Sequence, residues 1–292
     1  MRASFYIKLY LFTYHSKTYS IMKKSLFFGA LCAGMLLASC EKEEVGTING
    51  LFSVSETQQV KFSSGNLQYT KSTGTLQFAA HQWEILGSKD VKWSEMDTFD
   101  VFGWGTGDNP TYERCAEEDT VFTDWGINPI ANGGEDVKWR TLNPEEWEYL
   151  FAKRPNAINL VAFGRIENAK GVIILPDEWQ QPEDVPFQSL ADTAKIEWEE
   201  KIYVTNRTDS TDLTLINQYD AATWQKMEDA GAVFLPLTSF AFSKDGLPTG
   251  GEYWSTKDSH LSIGDWGIWP NRGCRVSAFE TPVRLVKDVV KE

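Results

Sequence analysis

Two capped helices, and only two, can be read in this chain of 292 residues. The first begins at Asn143, with Pro144 at the first helical position and Glu146 three residues after the cap. Trp147, Leu150 and Phe151 then fall at i, i+3 and i+4 along one apolar face, and Arg154-Pro155-Asn156 stops the helix. The second is capped by Asp220 over "AATWQKMEDAG", with Trp224 and Met227 on one face and Gly231 at its end. The rest reads as short strands and loops, with no fixed-period repeat and no low-complexity segment. Such a chain is expected to be an α+β fold of short antiparallel strands, two main helices and long ordered loops.

The strand signals are brief. "FSVSETQQVKFSSGNLQYT" gives two runs separated by Ser64-Gly65-Asn66. "TLQFAAHQWEIL" repeats the alternation, with Leu76, Phe78, Trp83 and Ile85 expected inward. Residues 98–139 are rich in loop formers, and "GWGTGDN" reads as tight turns around a buried Trp104 rather than a phosphate loop, which needs a following Lys-Ser/Thr. "GVIILPDEW" and "AVFLPLTSFAF" are expected to be buried strands, and "TPVRLVKDVV" the last one.

The amino terminus carries targeting information. In "MKKSLFFGALCAGMLLASC", residues 22–40, Lys23 and Lys24 precede an apolar run too short to span a bilayer, and Leu37-Ala38-Ser39-Cys40 is a lipobox. Residues 1–39 therefore read as a leader with a lipoprotein signal peptide, Met22 being the better start. Cys40 is the expected lipid-attachment residue, 40–50 a tether, and 51–292 the folded domain. Removing 1–39 takes away five Lys/Arg and no acid, so the formal charge moves from −13 to −18. A domain this acidic is expected to avoid nucleic acid and anionic lipid. Its anchor to the membrane would be the lipid. In an oxidising envelope Cys115 and Cys274 are a candidate disulfide, although nothing in their spacing selects it.

The order of these pieces resembles the C-type-lectin-like fold in its formylglycine-generating-enzyme branch. More closely, the chain resembles a family of Bacteroidetes surface lipoproteins related to the Fibrobacter succinogenes major paralogous domain. The stretches that carry the likeness are "FSVSETQQVKFSSGNLQY", "FDVFGWGTG", "WGINPIANGG", "WRTLNPEEWEYLFAKR", "GVIILPDEW", "WQKMEDAGAVFLP", "GEYWST" and "VRLV", spanning residues 52–286. The resemblance implies an outer-membrane, cell-surface location. "EKEE" after Cys40 is similar to the acidic tag of surface-exposed lipoproteins in that phylum. It also implies one sheet that joins Phe52–Phe62 to Val283–Val286, and an irregular segment before the final strand displayed at one end. Some relatives diversify that segment, but 257–280 lacks their Asn- and Tyr-rich positions.

"RTLNPEEWEYL" is similar to a stretch of the cysteine-oxidising enzymes, which hold copper with paired cysteines in the C-terminal half. That half offers Cys274 alone here, so the helix reads as scaffold, and neither a catalytic residue nor a cofactor is assigned. Only His81 and His260 lie beyond Cys40, without the spacing of a zinc site, so no metal is expected. "QPED" is too little for calcium. The informative segment is "STKDSHLSIGDWGIWPNRG". It combines Trp266 and Trp269 with His260, Asp265, Asn271 and Arg272, aromatic plates beside planar hydrogen-bonding groups that suit sugars and peptides. The expected function is a non-catalytic, adhesin-like module for a glycan or protein. The alternatives are an envelope enzyme, such as a glycan hydrolase or a degenerate oxidase relative, and a surface-fibre subunit.

Overall fold

Helix α1, Pro144–Glu148, starts as its sequence dictates. Asn143 Oδ1 accepts from the Glu146 amide at 2.9 Å, and Glu146 Oε2 accepts from the Asn143 amide at 2.8 Å, so two orphan donors are satisfied reciprocally. The helix continues as a π-turn over Tyr149–Lys153, which buries Leu150 and Phe151 beside Trp147. Helix α2, Ala221–Asp229, is capped by Asp220 and buries Trp224 and Met227. The structure is a computed structural model that describes residues 44–86, 93–114, 121–197, 200–205, 212–238, 248–278 and 280–289. Cys40 and Cys115 lie outside them.

The described strands form five small sheets. The first contains β1 (Phe52–Ser53), β2 (Gln59–Phe62), β18 (Leu285–Val289) and β7 (Trp139–Thr141), in that order. Val286 faces Phe62 across an antiparallel ladder, so the beginning and end of the domain share a sheet, as the sequence led us to expect. The second and largest runs β10 (Ala194–Glu197), β11 (Lys201–Val204), β16 (Gly267–Gly273), β15 (Ser259–Gly264), β14 (Gly250–Trp254). The third runs β12 (Gln218–Tyr219), β8 (Val161–Ile166), β9 (Ala169–Ile174), β13 (Val233–Pro236); β12 and β8 are parallel, and the other pairs in these sheets antiparallel. Two smaller sheets join β4 (Thr75–Phe78), β3 (Leu67–Thr70) and β5 (Thr98–Phe99), and β6 (Phe102–Gly103) with β17 (Glu280–Thr281). The content is mixed α and β, mostly small antiparallel sheets with two helices.

Three apolar clusters fill the spaces between sheets. The third sheet is covered on both sides, which is why "GVIIL" is a continuous apolar run. Val172 and Ile174 face a core shared with Trp147, Phe62 and the inner side of the second sheet, while Ile173 faces Trp224 and Met227 of α2. A third cluster packs Trp104, Trp125, Trp139 and Trp254 with Leu285.

Arg284 lies where the three meet. Its fully buried guanidinium donates to Gln82 Oε1 at 2.7 Å and to Asn66 Oδ1 at 3.4 Å. Gln82 carries the link to Glu228 of α2, and Asn66 to the Tyr253 hydroxyl. Of the residues expected inward, Trp83 is half-buried and packs against the cluster around Trp224, and Ile85 is half-buried. The chain turns at His81–Trp83, so Gln82 between them is fully buried as well. The docked chain also begins before Leu51: Glu44 pairs with Lys61 and Lys287, and Ile48 is buried.

Candidate ligand-binding face

Residues 257–273, expected to be irregular, are mostly a hairpin. Strands β15 and β16 are joined by Asp265-Trp266 and flanked by β14 and β11. Pro270 is tolerated because β11 pairs with β16 only at Gly267 and Ile268, so no ladder partner is lost at Pro270 on that side. Gly267 sits at φ +139, and an added Cβ would overlap the Ile202 carbonyl oxygen, so the tight approach of β11 requires glycine there.

The register sorts the side chains. Tyr253, Leu261, Ile263, Ile268 and Ile202 enter the main core. Glu252, Ser262 and Trp269 form a row across three strands on the opposite face, and the Ile202–Ile268 pairing brings Lys201 alongside Trp269. A second row holds Trp254, His260 and Arg272. A bulge keeps Arg272 on this face: β16 spends three residues from Trp269 to Arg272 where β15 spends two from Ser262 to His260.

The floor of this face is buried and its rim is open. His260 is fully buried, and its ring meets Trp254 edge-on with centroids 6.4 Å apart. Burial first, and the nearby Arg272 charge second, push its pKa down to about 4. The 3.5 Å separation of its Nε2 from Glu252 Oε1 is therefore a contact of a neutral imidazole, not an ion pair. Burial raises the Glu252 carboxyl above its ordinary range, Arg272 opposes the shift, and Glu280 adds to it. The half-exposed Arg272 guanidinium donates to Ser262 Oγ at 3.3 Å and stands 3.9 Å from Glu252 Oε1. The buried Lys201 ammonium lies 3.4 Å from the centroid of the half-buried Trp269 ring, and Arg272 Cζ lies 5.8 Å from the same centroid.

Of the six residues singled out in the sequence, His260, Trp269 and Arg272 share this face. Asp265 is exposed and Trp266 half-buried in the hairpin turn; the Trp266 indole covers Gly264 and its carbonyl accepts from the Val204 amide at 3.0 Å. Asn271 departs: in the bulge, it donates to Glu148 Oε1 at 2.8 Å and ties β16 to α1. Glu252, Ser262 and Lys201 were missed. The local signal for Glu252 was its alternation with Trp254 in "GEYWST"; Lys201 and Ser262 have no signal outside the register. Cys274 carries a free, half-buried thiol, pushed up to about 12 by burial and then by Glu252 and Asp258; its candidate partner Cys115 is not among the described residues.

Among the described residues no group of three or more His, Cys, Asp or Glu is arranged to hold a metal, and no helix is long and apolar enough to cross a membrane. Comparison with protein-family models, with curated proteins and with solved structures finds no match.

Proposed function

We propose that this chain is a lipid-anchored, C-type-lectin-like lipoprotein of the outer-membrane surface, and that it binds a glycan or protein ligand without catalysis. The observation that carries the reading is the outer face of β14, β15, β16 and β11. Its rim presents an aromatic ring, a guanidinium and a carboxylate over a floor of buried His260, Ser262 and Lys201. The register of a paired sheet holds these groups, so little side-chain entropy remains to be lost on binding. Among the described residues the Arg272 guanidinium makes one hydrogen bond, to Ser262, and its other donors suit a ligand oxygen. Probing glycan and protein arrays with the purified mature domain, beside Arg272→Ala, tests the reading; signals shared equally by both proteins would contradict it.

A second reading, a glycan hydrolase, draws on one observation. Burial raises the Glu252 carboxyl, as a general acid would require, and Glu280 lies near enough to reinforce it. Arg114 engages Glu280 through both carboxylate oxygens, which leaves that group poorly disposed as a base or nucleophile. Release of reducing sugar by wild type, abolished in Glu252→Gln, would favour the hydrolase.

A further inference from the structure

An open groove of about 1040 Å3 lies far from the hairpin in sequence, lined by Val45, Ile127, Pro129, Val137 and Trp139. Two of the largest exposed apolar side chains of the described residues sit on it, Val45 and Ile127, each 64% exposed. Both line the groove and give it an apolar rim.

The chain itself says what is near. Glu44 pairs with Lys61 at 3.3 Å and with Lys287, the Ser64 amide donates to the Gly46 carbonyl at 2.8 Å, and Thr47 bridges Ser63. Glu44, the first described residue, is therefore held on the domain beside Val45 on the groove's rim. Four peptide units connect Cys40 to Glu44, a reach of at most about 14 Å. If Cys40 carries the lipid, this rim cannot be lifted far from the headgroups, whereas a face elsewhere on the domain can.

We propose that the groove between Val45 and Ile127 is the membrane-proximal face of the domain, and that its occupant is the interfacial layer of the bilayer. The inference rests on the reading of Cys40 as the lipid-attachment site. Acyl chains supply the affinity, and the two apolar side chains set the orientation of the domain on the surface. The exposed rim residues Glu135, Asp136 and Lys138 leave a net negative charge, so the surface it fits is zwitterionic rather than anionic lipid.

The test uses the processed, lipidated protein in phosphatidylcholine vesicles, with vesicle co-sedimentation measured first and hydrogen exchange second. Exchange over residues 124–138 should slow by about tenfold relative to Cys40→Ala mixed with the same vesicles. That slowing should be lost in Ile127→Glu, and in Val45→Glu as a second variant, while co-sedimentation stays intact. Anionic vesicles should protect less. Co-sedimentation without slowing at 124–138 overturns the inference and leaves the anchor standing. Slowing confined to native membranes, absent in pure lipid, overturns it in favour of a protein occupant. Failure of the wild type to co-sediment removes the anchor reading, and this inference with it.

Discussion

The Lys201 ammonium lies 3.4 Å from the centroid of the Trp269 ring and is itself buried. A desolvated cation over an indole contributes on the order of 2 kcal/mol. Trp269 is thus part of the support of the candidate face as well as part of its surface. Trp269→Ala should lower stability by about 1–2 kcal/mol, because it leaves a buried charge without its ring. Arg272→Ala, at a half-exposed position, should stay within about 0.5 kcal/mol of wild type. Urea midpoints of the two variants check this; equal stability for both would mean that the ring does not hold the lysine.

Two titrating groups of the buried interior, His260 and Asp100, oppose each other. His260 has a folded pKa near 4, below its ordinary value, so the stability tied to its neutral form is lost as pH falls from about 6.5 towards 4. Asp100, almost fully buried, has its carboxyl raised to about 6, chiefly by burial, so the folded state gains stability as pH falls from about 6 towards 4. Each contributes at most on the order of 3 kcal/mol. Relative to wild type, His260→Gln should become more stable on going from pH 7 to pH 4.5, and Asp100→Asn less stable. Urea unfolding at the two pH values reads both signs, and a shared sign would refute the assignment.

Arg284 is charged, fully buried and, among the described residues, bonded to amide oxygens rather than to a carboxylate; burial pulls its pKa down to about 10. Arg284→Ala should cost on the order of 3–5 kcal/mol through a cavity and a broken network. Arg284→Met, which keeps most of the volume, should cost about half of that or less. Chemical denaturation separates the two; equal losses would show that charge, not volume, is what the site requires.

Lipidation at Cys40 follows from the lipobox and the two lysines before it. Cys40→Ala should leave the protein unprocessed or release it from membranes. A processed Cys40→Ala protein that still enters the detergent phase would end that reading.

The helices were legible in the sequence because caps are local. Asn143 needs only Glu146, three residues away, and Asp220 needs only the amide of Thr223. The joining of Phe62 to Val286 was legible through the resemblance, not through any local pattern. The candidate face was half legible. His260, Trp269 and Arg272 are close in sequence, but Lys201 arrives from a strand about sixty-eight positions away and joins them through the Ile202–Ile268 register. Asn271 was grouped with them by closeness in sequence, which does not show that the bulge in β16 turns it to Glu148 of α1. The paired hairpin was read as a loop because the resemblance placed an irregular segment before the final strand.

The central claim is that the outer face of the β15–β16 hairpin binds ligand. Its most direct measurement is the affinity of the mature domain for the strongest array ligand, for wild type and for Arg272→Ala, in parallel with their melting temperatures. A loss of about 2 kcal/mol in binding, roughly thirtyfold in Kd, with an unchanged melting temperature is predicted for Arg272→Ala. Undiminished affinity in a folded Arg272→Ala protein would mean that the ligand is bound elsewhere on the molecule.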